Sequence, residues 1–275
     1  MPAATLVAAA AFYLYGVRVL RRRGDRWPLG RTLTFVVGGL GSAAVATLSP
    51  VAAYDTTLLS MHMVQHMLLS MVTPVLLALG APVTLALRTL TRTPRGWLLA
   101  LLHSRVAAVL SFPVVAFALF VLSPWALYFT GWYGATLESV YLHNVLHLHL
   151  VVVGSLFFWP LVGADPVPGR VPYPFRLLTI FLTLPFHAFL GVTVMGQSGL
   201  IAGSHYRGLD LSWTSPEADQ ELAGAILWGS GDLVGLVFFG VLFVQWVRAS
   251  QREAVREDRR LDRLEARARD GPGDR

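Results

Sequence analysis

Residues 56–79 read TTLLSMHMVQHMLLSMVTPVLLAL. The run carries no aspartate, glutamate, lysine or arginine and is long enough to cross a bilayer, which takes about 20 apolar residues. Yet it holds two histidines. A second run, ESVYLHNVLHLHLVVVGSLFFWPL over 138–161, repeats the theme with three. Apolar runs of this length decide the class: the chain is expected to be all-α and to cross a membrane several times.

Working outward, hydropathy gives seven spans, roughly 4–20, 32–49, 56–79, 105–129, 138–161, 177–197 and 222–247. The composition agrees, with 55% hydrophobic and 14% charged residues. A seven-helix transmembrane domain over 1–247 and a charged cytoplasmic tail over 248–275 are expected. The first run does not read as a cleaved leader, because no charge precedes it and Arg18, Arg21, Arg22 and Arg23 follow it. All 22 basic residues are arginine. With the N-terminus outside and the C-terminus in the cytoplasm, only Arg207 stays outside, the partition the positive-inside rule demands. The net charge of +6 therefore follows topology, and nucleic acid is not an expected partner. Membrane lipid is.

Between spans, Ala81 to Ser104 places leucines beside Arg88, Arg92 and Arg95, which fits an interfacial hairpin or a partly buried connector. The tail from Arg248 interleaves arginine with Glu253, Glu257, Asp258, Asp262 and Glu265, as a salt-bridged helix does. Gly38, Gly39 and Gly41 in the second span, and Gly229, Gly231 and Gly235 in the last, allow helices to approach closely.

Polar residues inside a bilayer are costly and mark function by default. Six of the eight histidines fall in expected spans. His62 and His66 are four apart, as are His143 and His147, so each pair shares a helix face. Both helices run inward from the outer side, and the pairs lie at similar depth. Two matched pairs make a candidate metal site between facing helices; hydrogen bonding between helices is the alternative. Met61, Met63, Met67 and Met71 flank the first pair, and Met195 lies at the outer end of the sixth span. Imidazole with thioether favours copper. The absence of cysteine excludes thiolate metal sites, disulfides and cysteine nucleophiles. Met63 and Met67 are the thioether candidates. A second polar layer, His149, His187 and Asp232, is read as an outer partner of the metal ligands or a relay. Outside, Asp55, Glu138, Asp210, Glu217, Asp219 and Glu221 form an acidic mouth, or simply the complement of the inside arginines. Phosphate-binding glycine loops, serine nucleophiles with a base, and HExxH are missing. No enzymatic role is expected.

The stretch from Met61 to Leu87, with MHMVQHMLL, Pro74 and then Gly80, Ala81 and Pro82, resembles the multi-span CtaG family of cytochrome c oxidase assembly factors, from bacteria with caa-type oxidases. So do HNVLHLHLVVVGSLFFWPLVGADP from His143 and DQELAGAILW from Asp219. The resemblance implies a multi-pass protein of the bacterial plasma membrane that helps place copper in an oxidase subunit, with His62, His66, His143 and His147, and Asp232 less directly, as its motif residues. A b-type haem carrier is the competing reading. Two stacked haems need ligands about 13 residues apart on one helix to span ~20 Å, a spacing that four residues do not provide, so a single haem with one histidine from each pair is the form left. A copper or proton transporter using His149, His187 and Asp232 is the third.

Overall fold

The computed structural model describes residues 3–169 and 171–269, and every regular element among them is helical. Six helices are long and apolar enough to cross a membrane: α1 (Ala3–Arg22), α2 (Leu29–Tyr54), α3 (Leu59–Leu79), then, after α4 (Pro82–Thr89), α5 (Arg92–Leu102), α6 (Arg105–Leu110), α7 (Pro113–Phe129) and α8 (Trp132–Glu138), come α9 (Val140–Val162), α10 (Tyr173–Gly196) and, past α11 (Gly203–Gly208), α12 (Pro216–Arg269). The bent pair α7 and α8 makes a seventh crossing if taken as one span.

That pair is where the expected spans and the structure part. The run 105–129 breaks because Pro113 bars the helical conformation from the residue before it, and Phe112 sits at ψ 128°. What remains, α7, is 17 residues long, or about 25 Å, short of the ~30 Å hydrocarbon core. The chain then bends by 68° into α8. The last expected span, 222–247, is embedded in a single 54-residue helix, so the boundary expected at 247/248 falls inside α12. One ion pair, Arg260 to Glu257 at 3.3 Å, is present among the tail's described side chains.

α3 and α9 form the middle of the bundle. Pro74 has no N–H to give the Ser70 carbonyl, and α3 passes through a π-helical stretch, Leu68–Val72, just before it. Gly154 of α9 packs there so closely that a Cβ would lie 2.1 Å from the Ser70 oxygen. α10 lies along α12 through Gly191 and Gly224, and Gly231 and Gly235 meet His187 and Leu184, as small-residue packing anticipates. Gly38 and Gly39 face Leu76 and Leu77 of α3, whereas Gly229 faces open space. The α4–α5 segment has both expected characters. Leu85 of α4 is buried beside Gly16, and Asp165 caps α4 by accepting from the Val83 and Thr84 amides; Trp97 and Leu101 of α5 are exposed.

Candidate metal centre

α3 begins after an extended Leu58 that supplies no side-chain cap. The orphan donors of its first turn are taken from across the bundle instead. Asp219, in the first turn of α12, accepts from the Leu59 amide at 2.6 Å, the Ser60 amide at 3.3 Å and the Ser60 hydroxyl. Beyond that cap α3 presents His62, Met63 and Gln65, each 0% exposed, and His66, also buried.

Gln65 organises the centre. Its Nε2 donates to the Ala46 carbonyl and to Asp55 Oδ2, both at 2.8 Å, and its Oε1 accepts from His147 Nε2 at 2.8 Å. His143 Nε2 donates to the same Asp55 oxygen at 2.9 Å, and His147 Nε2 lies 3.6 Å from it. Burial acts to raise the Asp55 carboxyl, but the hydrogen bonds from His143, His147 and Gln65 outweigh it and hold the group well below the usual carboxylate range. Asp55 is therefore a buried anion with its charge compensated by imidazole and amide N–H groups.

Each imidazole has one nitrogen engaged in this way, and the other is left over. The Nδ1 atoms of His62, His143 and His147 are all buried without a hydrogen-bond partner. The His143 ring lies 4.6 Å from that of His147 and 6.3 Å from that of His62. A buried polar atom with no partner costs ~1–3 kcal/mol, and three in one cluster call for an explanation. A ligating histidine characteristically gives its second nitrogen to a carboxylate, carbonyl or water. Asp55, Gln65 and Tyr128 occupy that position here. Asp55, His143 and His147 also each offer a ligand atom within 4.8 Å of the others, the one such group of three among the described residues. The donor set of imidazole and carboxylate fits a divalent or monovalent transition metal.

Tyr128 binds both histidines of α3, at 3.1 Å to His62 Nε2 and 2.8 Å to His66 Nδ1. One phenol has one proton. In the tautomer where His62 Nε2 donates to Tyr128, the Tyr128 hydroxyl donates to His66 and His62 Nδ1 is a free lone pair. The expected four histidines are thus divided: His143 and His147 meet at Asp55, with the His62 ring 6.3 Å from that of His143, while His62 and His66 share Tyr128. Met63 and Met67 are buried in the apolar core on the same helix.

The deeper layer is separate from this cluster. His187 packs against Phe120 at 5.4 Å and against Gly231, with Nδ1 3.4 Å from the Thr183 carbonyl. Asp232 accepts from Trp228 Nε1 at 2.9 Å, and its other oxygen is buried without a partner. His149 is half-buried and lines a cavity between α7, α8 and α9. The carboxylate that touches imidazole in the cluster is Asp55.

The end of the bundle nearest the cluster is closed. Tyr133 of α8 packs on the His62 ring at 4.7 Å and shares a 2.6 Å hydrogen bond with Tyr206 of α11, while His205 Nε2 donates to the Thr56 carbonyl at 2.8 Å. Burial pushes the Tyr206 phenol up, so it stays protonated at neutral pH. Ala202 and Asp210, on either side of α11, both have left-handed backbone, at φ 49° and 44°.

The sequence reading of the site did not include Asp55, Gln65, Tyr128 or Tyr133. Gln65 carried the same signal as the histidines, a polar side chain within an apolar span three residues from His62. Asp55 reads as one more acid of the outer loops. Tyrosines near span ends are ordinary interfacial residues and give no signal.

The fold and the cluster define a polytopic helical membrane protein with a buried histidine–carboxylate centre. The family model for the cytochrome c oxidase caa3 assembly factor matches residues 11–249, and the chain belongs to that family. An uncharacterised protein of Mycobacterium bovis and one of Mycobacterium tuberculosis are each 42% identical over 264 residues, covering 93% of this chain and 40% of their own length. An uncharacterised protein of Mycobacterium leprae is 40% identical over 267 residues, 94% of this chain and 40% of its own. The chain thus spans about two fifths of these relatives. No solved structure matches it.

Proposed function

We propose that this chain is a non-catalytic assembly factor that carries copper at the His62, His143 and His147 cluster and hands it to a subunit of a cytochrome c oxidase. The single observation behind this reading is the set of three buried Nδ1 atoms without partners, each on a ring whose Nε2 is held by Asp55, Gln65 or Tyr128. The family supplies the oxidase. Copper is the cargo here. Imidazole, with the thioethers of Met63 and Met67 on the same helix, suits Cu(I), and an open ligand set lets the ion leave. His66 supports the centre through Tyr128. We place the protein in the bacterial plasma membrane with its N-terminus outside, on the strength of the arginine distribution, so that the cluster lies in the outer half.

The test is metal analysis with an absorption spectrum on detergent-purified protein, wild type against His143→Ala/His147→Ala. Near-stoichiometric copper in the wild type, lost in the variant and without a Soret band, is the expected result. A Soret band lost in the variant would make this a haem protein. Failure to take up copper after Cu(I) loading would end the copper reading and leave membership of the assembly-factor family standing.

A further inference from the structure

The corner from α1 into α2 holds Arg18, Arg21, Arg22, Arg23, Arg26 and Arg31, and over residues 18–31 Asp25 is the one acid. Part of this set is used within the protein. Arg88 of α4 pairs with Asp25 at 3.2 Å, Arg23 donates to the Arg88 carbonyl at 2.9 Å, and the Arg31 guanidinium lies over the Trp27 ring, 5.2 Å from its centre. Arg18, Arg21 and Arg22 differ: they are exposed, and none of them makes an ion pair among the described residues.

These three line a hollow of about 520 Å³ between the end of α1 and the start of α2, together with Leu14, Val17, Leu29 and Thr32. Leu14, Val17, Arg18, Arg21 and Arg22 follow the spacing of one helical stripe, apolar toward the middle of the span and cationic toward its end. α1 is fastened on the neighbouring face, where the Tyr13 hydroxyl donates to the Gly80 carbonyl at 2.8 Å and Gly16 meets Leu85, which leaves the stripe facing the gap. A cation in the last turn of a helix answers its dipole. That accounts for Arg21 and Arg22 and not for Arg18, a turn earlier in the same hollow. The rule that sorts arginine to one side of a membrane asks only for charge near a span end, not for a recess that gathers it.

We infer that this hollow binds an anionic phospholipid, with its phosphate received by Arg18, Arg21 and Arg22 and the start of an acyl chain lying on Leu14, Val17 and Leu29. Guanidinium groups meet phosphate oxygens in pairs of parallel hydrogen bonds, and basic recesses between spanning helices suit lipid headgroups. The choice among anions and lipids follows from the lining. A zwitterionic headgroup brings a cation of its own, which three arginines without an acid repel, and a free phosphate has nothing to lay on the apolar strip. The site shares no residue with the histidine cluster and does not depend on the copper reading. A bound lipid bridges α1 and α2 across the gap between them.

Full-length protein in a neutral detergent is titrated with phosphatidylglycerol, phosphatidylcholine and inorganic phosphate, and bound lipid is counted by native mass spectrometry. Wild type is compared with Arg18→Gln/Arg21→Gln/Arg22→Gln, with Leu29→Trp and with Arg92→Gln/Arg95→Gln/Arg105→Gln. The last removes the same charge from exposed arginines at the starts of α5 and α6. Leu29→Trp fills the hollow and keeps every arginine, so membrane insertion is not at stake in it. Wild type is expected to hold phosphatidylglycerol about tenfold or more tighter than phosphatidylcholine, with a loss of about tenfold or more in the first two variants and of less than about twofold in the third. Equal affinity for the two lipids, equal loss in both triple variants, or binding unmoved by Leu29→Trp would overturn the site and leave only the general attraction of surface charge. Displacement of phosphatidylglycerol by an equal concentration of inorganic phosphate would overturn the lipid as occupant in favour of a soluble anion.

Discussion

The two spans that carry the cluster differ from those around them in how much of themselves they hide. In α3 and α9, 61% and 56% of the most apolar window is buried within the protein, against 28% in each of α1, α2 and α12. The outer spans owe most of their contact to lipid, and their apolar side chains need only be apolar. The central pair must fit each other, and it is there that the histidines of the cluster, Gln65 and Gly154 are found. A polar group is tolerable in this molecule where protein surrounds it and can supply its partners.

The strongest way to break that contrast is Gly154→Val. The new side chain would meet the Ser70 backbone, which cannot move aside as a side chain can, and a loss of about 3 kcal/mol or more is expected. Gly229→Ala, facing open space on α12, should stay within ~0.5 kcal/mol. Thermal unfolding in detergent compares the two, and equal effects would show that the centre is no tighter than the periphery. Next in size, Asp55→Asn keeps the shape of the side chain but removes the charge that orients His143, and copper affinity should fall about 10–100-fold, the usual cost of an outer partner of a metal ligand, with helix content unchanged. Competition with a Cu(I) chelator measures it, and unaltered affinity would dismiss the carboxylate from the centre. Smallest is Asp219→Asn, which weakens the cap of α3 by ~1 kcal/mol; the Leu59 and Ser60 amides should exchange hydrogen faster than those of the α9 interior.

Much of the central pair is legible in its letters. Apolar length locates α3 and α9, and the i,i+4 spacing of His62 with His66 and of His143 with His147 puts imidazoles on shared faces. Spacing cannot say which of the four imidazoles meet a carboxylate, because that depends on Asp55, which takes His143, and on Tyr128, which approaches from α7 and holds His62 and His66. Asp55 is hidden for a related reason: its burial comes from α3 and α9 closing over a turn, and a turn aspartate looks the same whether water or imidazole surrounds it. The break at Phe112 was available in principle, since Pro113 restricts its predecessor, but a continuous apolar run outweighs one proline when hydropathy alone draws the boundary. Asp232 drew attention as the one deep acid, and its neighbours, Trp228 and the His187 face of α10, belong to another part of the bundle.

The cap that Asp219 places on α3 spans 160 positions of sequence. Chains are made from the N-terminus, at ~5–20 residues per second, so roughly 8–32 s separate the synthesis of Leu59 from that of its partner. During that interval the helix bearing His62 and His66 has been made but its first turn has no acceptor, and only the arrival of α12 supplies one. The timing of biogenesis is thereby written into a single hydrogen-bonded corner: the centre reaches its final form when the last helix is in place, and a chain truncated before Asp219 lacks the cap of the helix that carries it.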